Sequence, residues 1–183
     1  MEPEFTVRQI LQIAEKLEHN GARFYAKMAS LFGDARRRQL CLTLADWRAG
    51  RQRTLQQRRQ QCRQPQITGE QRDAHDYIQT HPSIMADLAV FDEHAFPPNA
   101  LSGREGLEQI VKDAIARTRQ AITFYQGLKS FARNRKAQAE LDRIIAQERH
   151  YVHILDTNRH GPGLFYGDAI GKLLAVTGGR TEN

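Results

Sequence analysis

Four charged residues stand out by type and spacing. Glu18 lies six residues before Phe24-Tyr25, Glu148 lies three before Tyr151, and Arg48 and Arg51 are themselves three apart. On a helix, residues three or four apart share a face, so such pairs can aim two groups at one point in a core. Carboxylates placed this way are hard oxygen ligands suited to iron or manganese. Guanidinium groups placed this way are permanent cations, whose five donors match carboxylate oxygens. His150 and His153 repeat the i, i+3 spacing, and together with His75, His81 and His94 they offer a second candidate, a surface zinc site. A third is the basic run of Arg36, Arg37, Arg38, Arg53, Arg58, Arg59 and Arg63, which could neutralise phosphates of a nucleic acid. No glycine-rich phosphate loop or nucleophile elbow is present.

The elements that must position these groups are helices. Val7, Ile10, Leu11, Ala14, Leu17, Gly21, Phe24, Tyr25 and Met28 recur at steps of three and four, which predicts a helix from about Thr6 to Leu31, closed by Gly33-Asp34. A second, rich in Arg and Gln and carrying Leu40, Leu44, Trp47 and Leu55, is predicted from about Ala35 to Gln61. Ser102 and Glu105 have the spacing of a capping box, and the stripe after them predicts a helix from about Gly103 to Phe131. A fourth is predicted from about Arg135 to Thr157. The intervening stretch has Pro65, Gly69, Pro82, Pro97 and Pro98 as breakers, with short helices expected at about Glu70 to Gln79 and Ser83 to Glu93. After His160 the chain is glycine-rich, with one short amphipathic piece at Asp168 to Val176.

An internal repeat organises the whole. Shifted by 100 residues, Ile10 falls on Ile110, Ala14 on Ala114, Phe24-Tyr25 on Phe124-Tyr125, Leu44 on Ile144 and Leu55 on Leu155. One offset holds across two helices and the turn between them, which is the mark of a duplicated hairpin. Two helical hairpins joined by a long crossover make a four-helix bundle. The expected organisation is a single domain: first hairpin 5–62, crossover 63–102, second hairpin 103–158 and C-terminal extension 159–183.

The Phe-Tyr dipeptide, the six-residue step back to Glu18 and the hairpin length resemble the rubrerythrin branch of the ferritin-like superfamily, over roughly residues 5 to 60 and 103 to 157. The resemblance implies an all-α, ferritin-like four-helix bundle with a long crossover and a short C-terminal helix. It also implies six ligand positions for two iron ions, one Glu and one Glu-x-x-His from each hairpin. Here those positions read Glu18, Arg48 and Arg51, then Thr118, Glu148 and Tyr151. Glu18 and Glu148 keep a metal-ligating carboxylate; both histidine positions are lost. A register shifted by one residue would centre the second motif on His150 instead.

The substitutions have a physical consequence. Two carboxylates and two guanidinium groups cancel in formal charge, so protein cations would stand where metal cations stood. A divalent ion placed beside them meets a repulsion of about 4 kcal/mol per unit pair at about 4 Å and an effective dielectric near 20. The expectation is a buried Arg-Glu network without a cofactor, in a non-catalytic binding or assembly module. The plainer alternative leaves Arg48 and Arg51 in water and pairs Glu18 with Lys16 or His19. An iron- or manganese-dependent oxidoreductase of the rubrerythrin type is the competing enzyme reading, and nucleic-acid binding through the second helix the third. The paired Cys-x-x-Cys knuckles of a rubredoxin module are absent, since Cys41 and Cys62 are the only cysteines.

Composition bounds the rest. The 183 residues carry a net charge of +6, unevenly spread. Residues 36–63 hold nine basic and one acidic side chain, and residues 64–102 hold one and six. The acidic crossover could therefore neutralise part of the basic helix. No run of about 18 apolar residues is present, so no membrane partner is expected. Two unpaired cysteines and no secretory leader point to the cytoplasm. A homodimer is implied by the resemblance alone.

Overall fold

The computed structural model describes residues 5–62, 101–132 and 134–159. Four helices form among them: α1 (Val7–Leu31), α2 (Ala35–Gln61), α3 (Leu107–Leu128) and α4 (Arg135–Asn158). A 3-10 turn, Lys129–Phe131, prolongs α3. The crossover 63–100, with its two expected short helices and with His75, His81 and His94, lies outside the described residues, as does the expected C-terminal helix.

Local chemistry sets the helix starts. Thr6 and Gln9 form a reciprocal capping box: Gln9 N–H donates to Thr6 Oγ1 at 3.3 Å, and Thr6 N–H donates to Gln9 Oε1 at 2.9 Å. Asp34 caps α2 by accepting from Arg37 N–H at 3.0 Å, so it opens the second helix and does not close the first. Arg38 donates to the carbonyls of Phe32 and Gly33 and so satisfies the short link between α1 and α2. Asn134 caps α4 through Ala137 N–H at 2.8 Å.

The start of α3 differs from expectation. Glu105 does accept from Ser102 N–H, Ser102 Oγ–H and Gly103 N–H, at 2.6, 2.9 and 3.0 Å. These bonds close a turn ahead of the helix, which begins four residues later behind Gly106 with no side-chain cap. The reason lies in packing. Gly103 adopts φ 85°, and a Cβ there would stand 2.6 Å from the Leu31 carbonyl oxygen, so the turn is wedged against the end of α1.

Helix α1 packs on α2 and α4, and α2 also packs on α3, so the two hairpins lie side by side as an all-α four-helix bundle. Their apolar stripes meet in one core. The residues matched by the repeat are buried alike: Ile10 and Ile110, Ala14 and Ala114, Phe24 and Phe124, Tyr25 and Tyr125, Leu44 and Ile144, Leu55 and Leu155. At one end Phe5 N–H donates to the Phe131 carbonyl at 3.0 Å and the two rings meet edge to face. Among the described residues no helix is long and apolar enough to cross a membrane.

Candidate functional site

Midway along the bundle the apolar core gives way to four buried charges. Each helix contributes to the centre: Glu18 from α1, Arg48 and Arg51 from α2, Thr118 from α3, and Gln147, Glu148 and Tyr151 from α4. The side chains of Glu18, Arg48 and Glu148 are 0% exposed, and that of Arg51 is 14% exposed. Charged side chains at such depth persist only when paired.

The pairing is complete on the carboxylate side. Arg48 Nη1 donates to Glu18 Oε2 at 3.0 Å and to Glu148 Oε2 at 3.2 Å. Arg51 Nε donates to Glu18 Oε1 at 2.9 Å, and Arg51 Nη2 to Glu148 Oε1 at 2.7 Å. Every carboxylate oxygen therefore accepts from a guanidinium. Arg48 Nη2 donates to Thr118 Oγ1 at 2.9 Å, while the threonine hydroxyl donates onward to the Ala114 carbonyl at 2.8 Å. At the outer edge Arg51 Nη1 donates to Gln147 Oε1 at 3.2 Å. The inward Arg-Glu arrangement is present, and Glu18 is paired across the bundle with Arg48 and Arg51.

Aromatic rings wall the centre. Trp47 and Tyr151 stack with centroids 3.3 Å apart and planes at 13°. The Arg48 guanidinium lies 4.7 Å from the Trp47 ring and 5.4 Å from the Tyr151 ring, and Arg51 lies 5.3 Å from Trp47. These are cation–π distances in a desolvated setting. The hydroxyls of Tyr125 and Tyr151 are buried without a hydrogen-bond partner among the described residues.

Burial and charge set the titration of the group. Burial pushes the Glu18 carboxyl up, but Arg48 and Arg51 outweigh it and hold Glu18 below the usual carboxylate range. At Glu148 burial, aided by the Glu18 carboxylate, outweighs the two arginines and raises the value. The first proton taken up as pH falls therefore goes to Glu148. Burial opposes the charge on Arg48, yet Glu18 and Glu148 raise its value further, so it stays protonated. Burial raises Tyr25, Tyr125 and Tyr151, which remain neutral phenols. Burial likewise pushes the Cys41 thiol up to about 12, which removes it from thiolate chemistry.

These residues do not fit a pair of divalent ions. The Glu18 and Glu148 carboxylates are saturated by guanidinium donors, the Thr118 hydroxyl is engaged on both sides, and Tyr151 offers only a neutral phenol. No group of three or more His, Cys, Asp or Glu suited to a metal occurs among the described residues. His150 and His153 are exposed on α4, so 148 and 151 are the inward positions and the shifted register is wrong.

The basic second helix is largely spent inside the protein. Besides Arg48 and Arg51, Arg58 forms an ion pair with Glu140 and Arg59 one with Glu15. Arg37 donates to the Glu105 carbonyl, and Arg38 caps the α1–α2 link. Its acidic partners among the described residues come from α1, α4 and its own cap, Asp34, which Arg37 meets at 3.6 Å; the acidic crossover lies outside them. Three features were not foreseen from sequence: the Trp47–Tyr151 stack, the Arg58–Glu140 bridge, and Arg117, held to Asp113 at 2.6 Å with its guanidinium over the Phe24 ring. Only the last had a local signal, the i, i+4 spacing of Asp113 and Arg117.

No family model matches the chain, and no curated protein matches it. Among solved structures it is similar to a protein from Thermotoga maritima described as a candidate ferritin-like diiron-carboxylate protein. Identity is 19%, the TM-score is 0.46, and the match covers 88% of this chain and 99% of the other.

Proposed function

We propose that this chain is a ferritin-like protein of the rubrerythrin type in which an Arg-Glu network replaces the di-iron centre, and that it acts as a binding or assembly module, as a homodimer. One observation carries the reading: both carboxylates at the ligand positions give all four oxygens to Arg48 and Arg51. A divalent ion would have to displace buried cations that cannot deprotonate, at a cost of several kcal/mol per charge. Two carboxylates supply too few donors to recover that cost. The competing reading, an iron or manganese oxidoreductase, requires both arginines to leave the centre.

The test is metal content after expression in iron- and manganese-supplemented medium and purification without chelators. Far less than one ion per chain is expected by plasma mass spectrometry, together with no consumption of hydrogen peroxide above the buffer rate. About two ions per chain, lost on Glu18→Ala or Glu148→Ala, would establish the oxidoreductase instead.

A further inference from the structure

The repeat raises a problem that the buried charges solve. Two hairpins with matching apolar faces can pair in three ways: first with second, first with a second copy's first, or second with a second copy's second. Their shared core residues, from Ile10 and Ile110 to Leu55 and Leu155, do not distinguish these pairings. The charged positions do. Glu18, Arg48 and Arg51 give the inner face of the first hairpin a net single positive charge, and Glu148 gives that of the second a single negative one. Further along, Arg58 of the first hairpin meets Glu140 of the second with the same polarity. Arg59–Glu15 and Arg117–Asp113 close within one hairpin and leave no charge for the other, while the exposed Arg143 also reaches Glu140 from its own helix at 3.6 Å.

Only the unlike pairing is therefore neutral. Two first hairpins would bury excess positive charge, and two second hairpins excess negative charge, with at least one carboxylate or guanidinium left unpaired in each case. An unpaired charge at that depth is far more costly than a missed apolar contact. We infer that the inner face of the first hairpin is an interaction surface specific for a second hairpin, and that the Glu18–Arg48–Arg51–Glu148 network enforces this choice against like-with-like pairing between copies. The inference rests on the charges and the repeat, and it stands whether or not the ancestral site held metal.

Full-length protein tests it. Gln147 is exposed beside the network, so Gln147→Cys in a Cys62→Ser background places a reporter thiol where two second hairpins would meet; Cys41 is buried. After refolding from denaturant, a short bis-maleimide joins two chains only if like hairpins pair. Three proteins are compared: the parent, the apolar variant Glu18→Leu/Arg48→Met/Arg51→Met/Glu148→Leu, and the charge-exchanged variant Arg48→Glu/Glu148→Arg, which keeps unlike pairing neutral. The expected result is little cross-linked dimer in the parent, at least about a tenfold rise in the apolar variant, and a return to the parent level in the exchanged variant. Equal cross-linking in parent and apolar variant overturns the inference. Should the apolar variant not fold, the parent and the exchanged variant decide alone: abundant dimer in either overturns it, and little in both sustains it.

Discussion

The two hairpins are built on one plan and differ where it counts. Under a shift of 100 the apolar pairs from Ile10 and Ile110 to Leu55 and Leu155 coincide and are buried alike, while Ile13, Leu17 and Leu40 fall on Asp113, Arg117 and Glu140. At the polar centre they diverge: Arg48 stands opposite Glu148, Arg51 opposite Tyr151, and Glu18 opposite Thr118. A bundle tolerates such divergence only if the two halves change together, because the net buried charge of each half needs its complement from the other. The apolar half of the design fixes that the helices pack; the polar half fixes which helices, and what the centre can hold.

Removing one member of the centre should have the largest effect. Arg48→Met leaves Glu18 and Glu148 facing each other in a dry core with one guanidinium between them, and a loss of about 3 to 5 kcal/mol is expected in urea unfolding. Replacing all four charges together, as in the apolar variant above, should be neutral or stabilising by about 1 to 4 kcal/mol, since well-packed apolar groups often outperform a buried ion network. A quadruple variant weaker than Arg48→Met would break the comparison, for it would mean that the charges contribute net stability and not only complementarity.

The carboxylates should separate by pH. Glu18, depressed, adds stability that is present above the ordinary glutamate value of 4.5 and lost as pH falls below it. Glu148, raised, works in the opposite sense: between 4.5 and its own value the folded state holds the extra proton, so stability falls as pH rises through that window. Glu148→Gln should abolish the slope above 4.5 and Glu18→Gln the slope below it, read from denaturation midpoints across pH. Smaller again is Tyr125→Phe, which removes a buried hydroxyl with no hydrogen-bond partner among the described residues and should stabilise by up to about 1 kcal/mol. Least is Arg59→Ala. Its pair with Glu15 is partly exposed and lies within one hairpin, so less than about 1 kcal/mol is expected.

Much of this was legible in the sequence, for identifiable reasons. The starts of α1, α2 and α4 at Val7, Ala35 and Arg135 fall within a residue of those expected from the apolar stripes, although Asp34, expected to close α1, caps α2 instead. The start of α3 was not legible, because the Ser102–Glu105 pattern serves a turn that a distant neighbour, the Leu31 carbonyl, forces on Gly103. The four charged residues could be placed because the repeat carries positions 148 and 151 onto 48 and 51. Arg58 and Glu140 could not be paired that way, since their repeat equivalents are Asn158 and Leu40. Trp47 was legible as an apolar position, but its stacking on Tyr151 depends on how α2 and α4 face each other, which no local pattern records.

A crystal structure of the full chain, grown from protein expressed with iron and manganese and collected with anomalous data at both metal edges, tests the central claim most directly. The expected result is continuous density from Arg48 to both Glu18 and Glu148, Arg51 bridging the same two carboxylates, and no anomalous peak between them. An anomalous peak ligated by Glu18 and Glu148, with either arginine swung out to solvent, would contradict it.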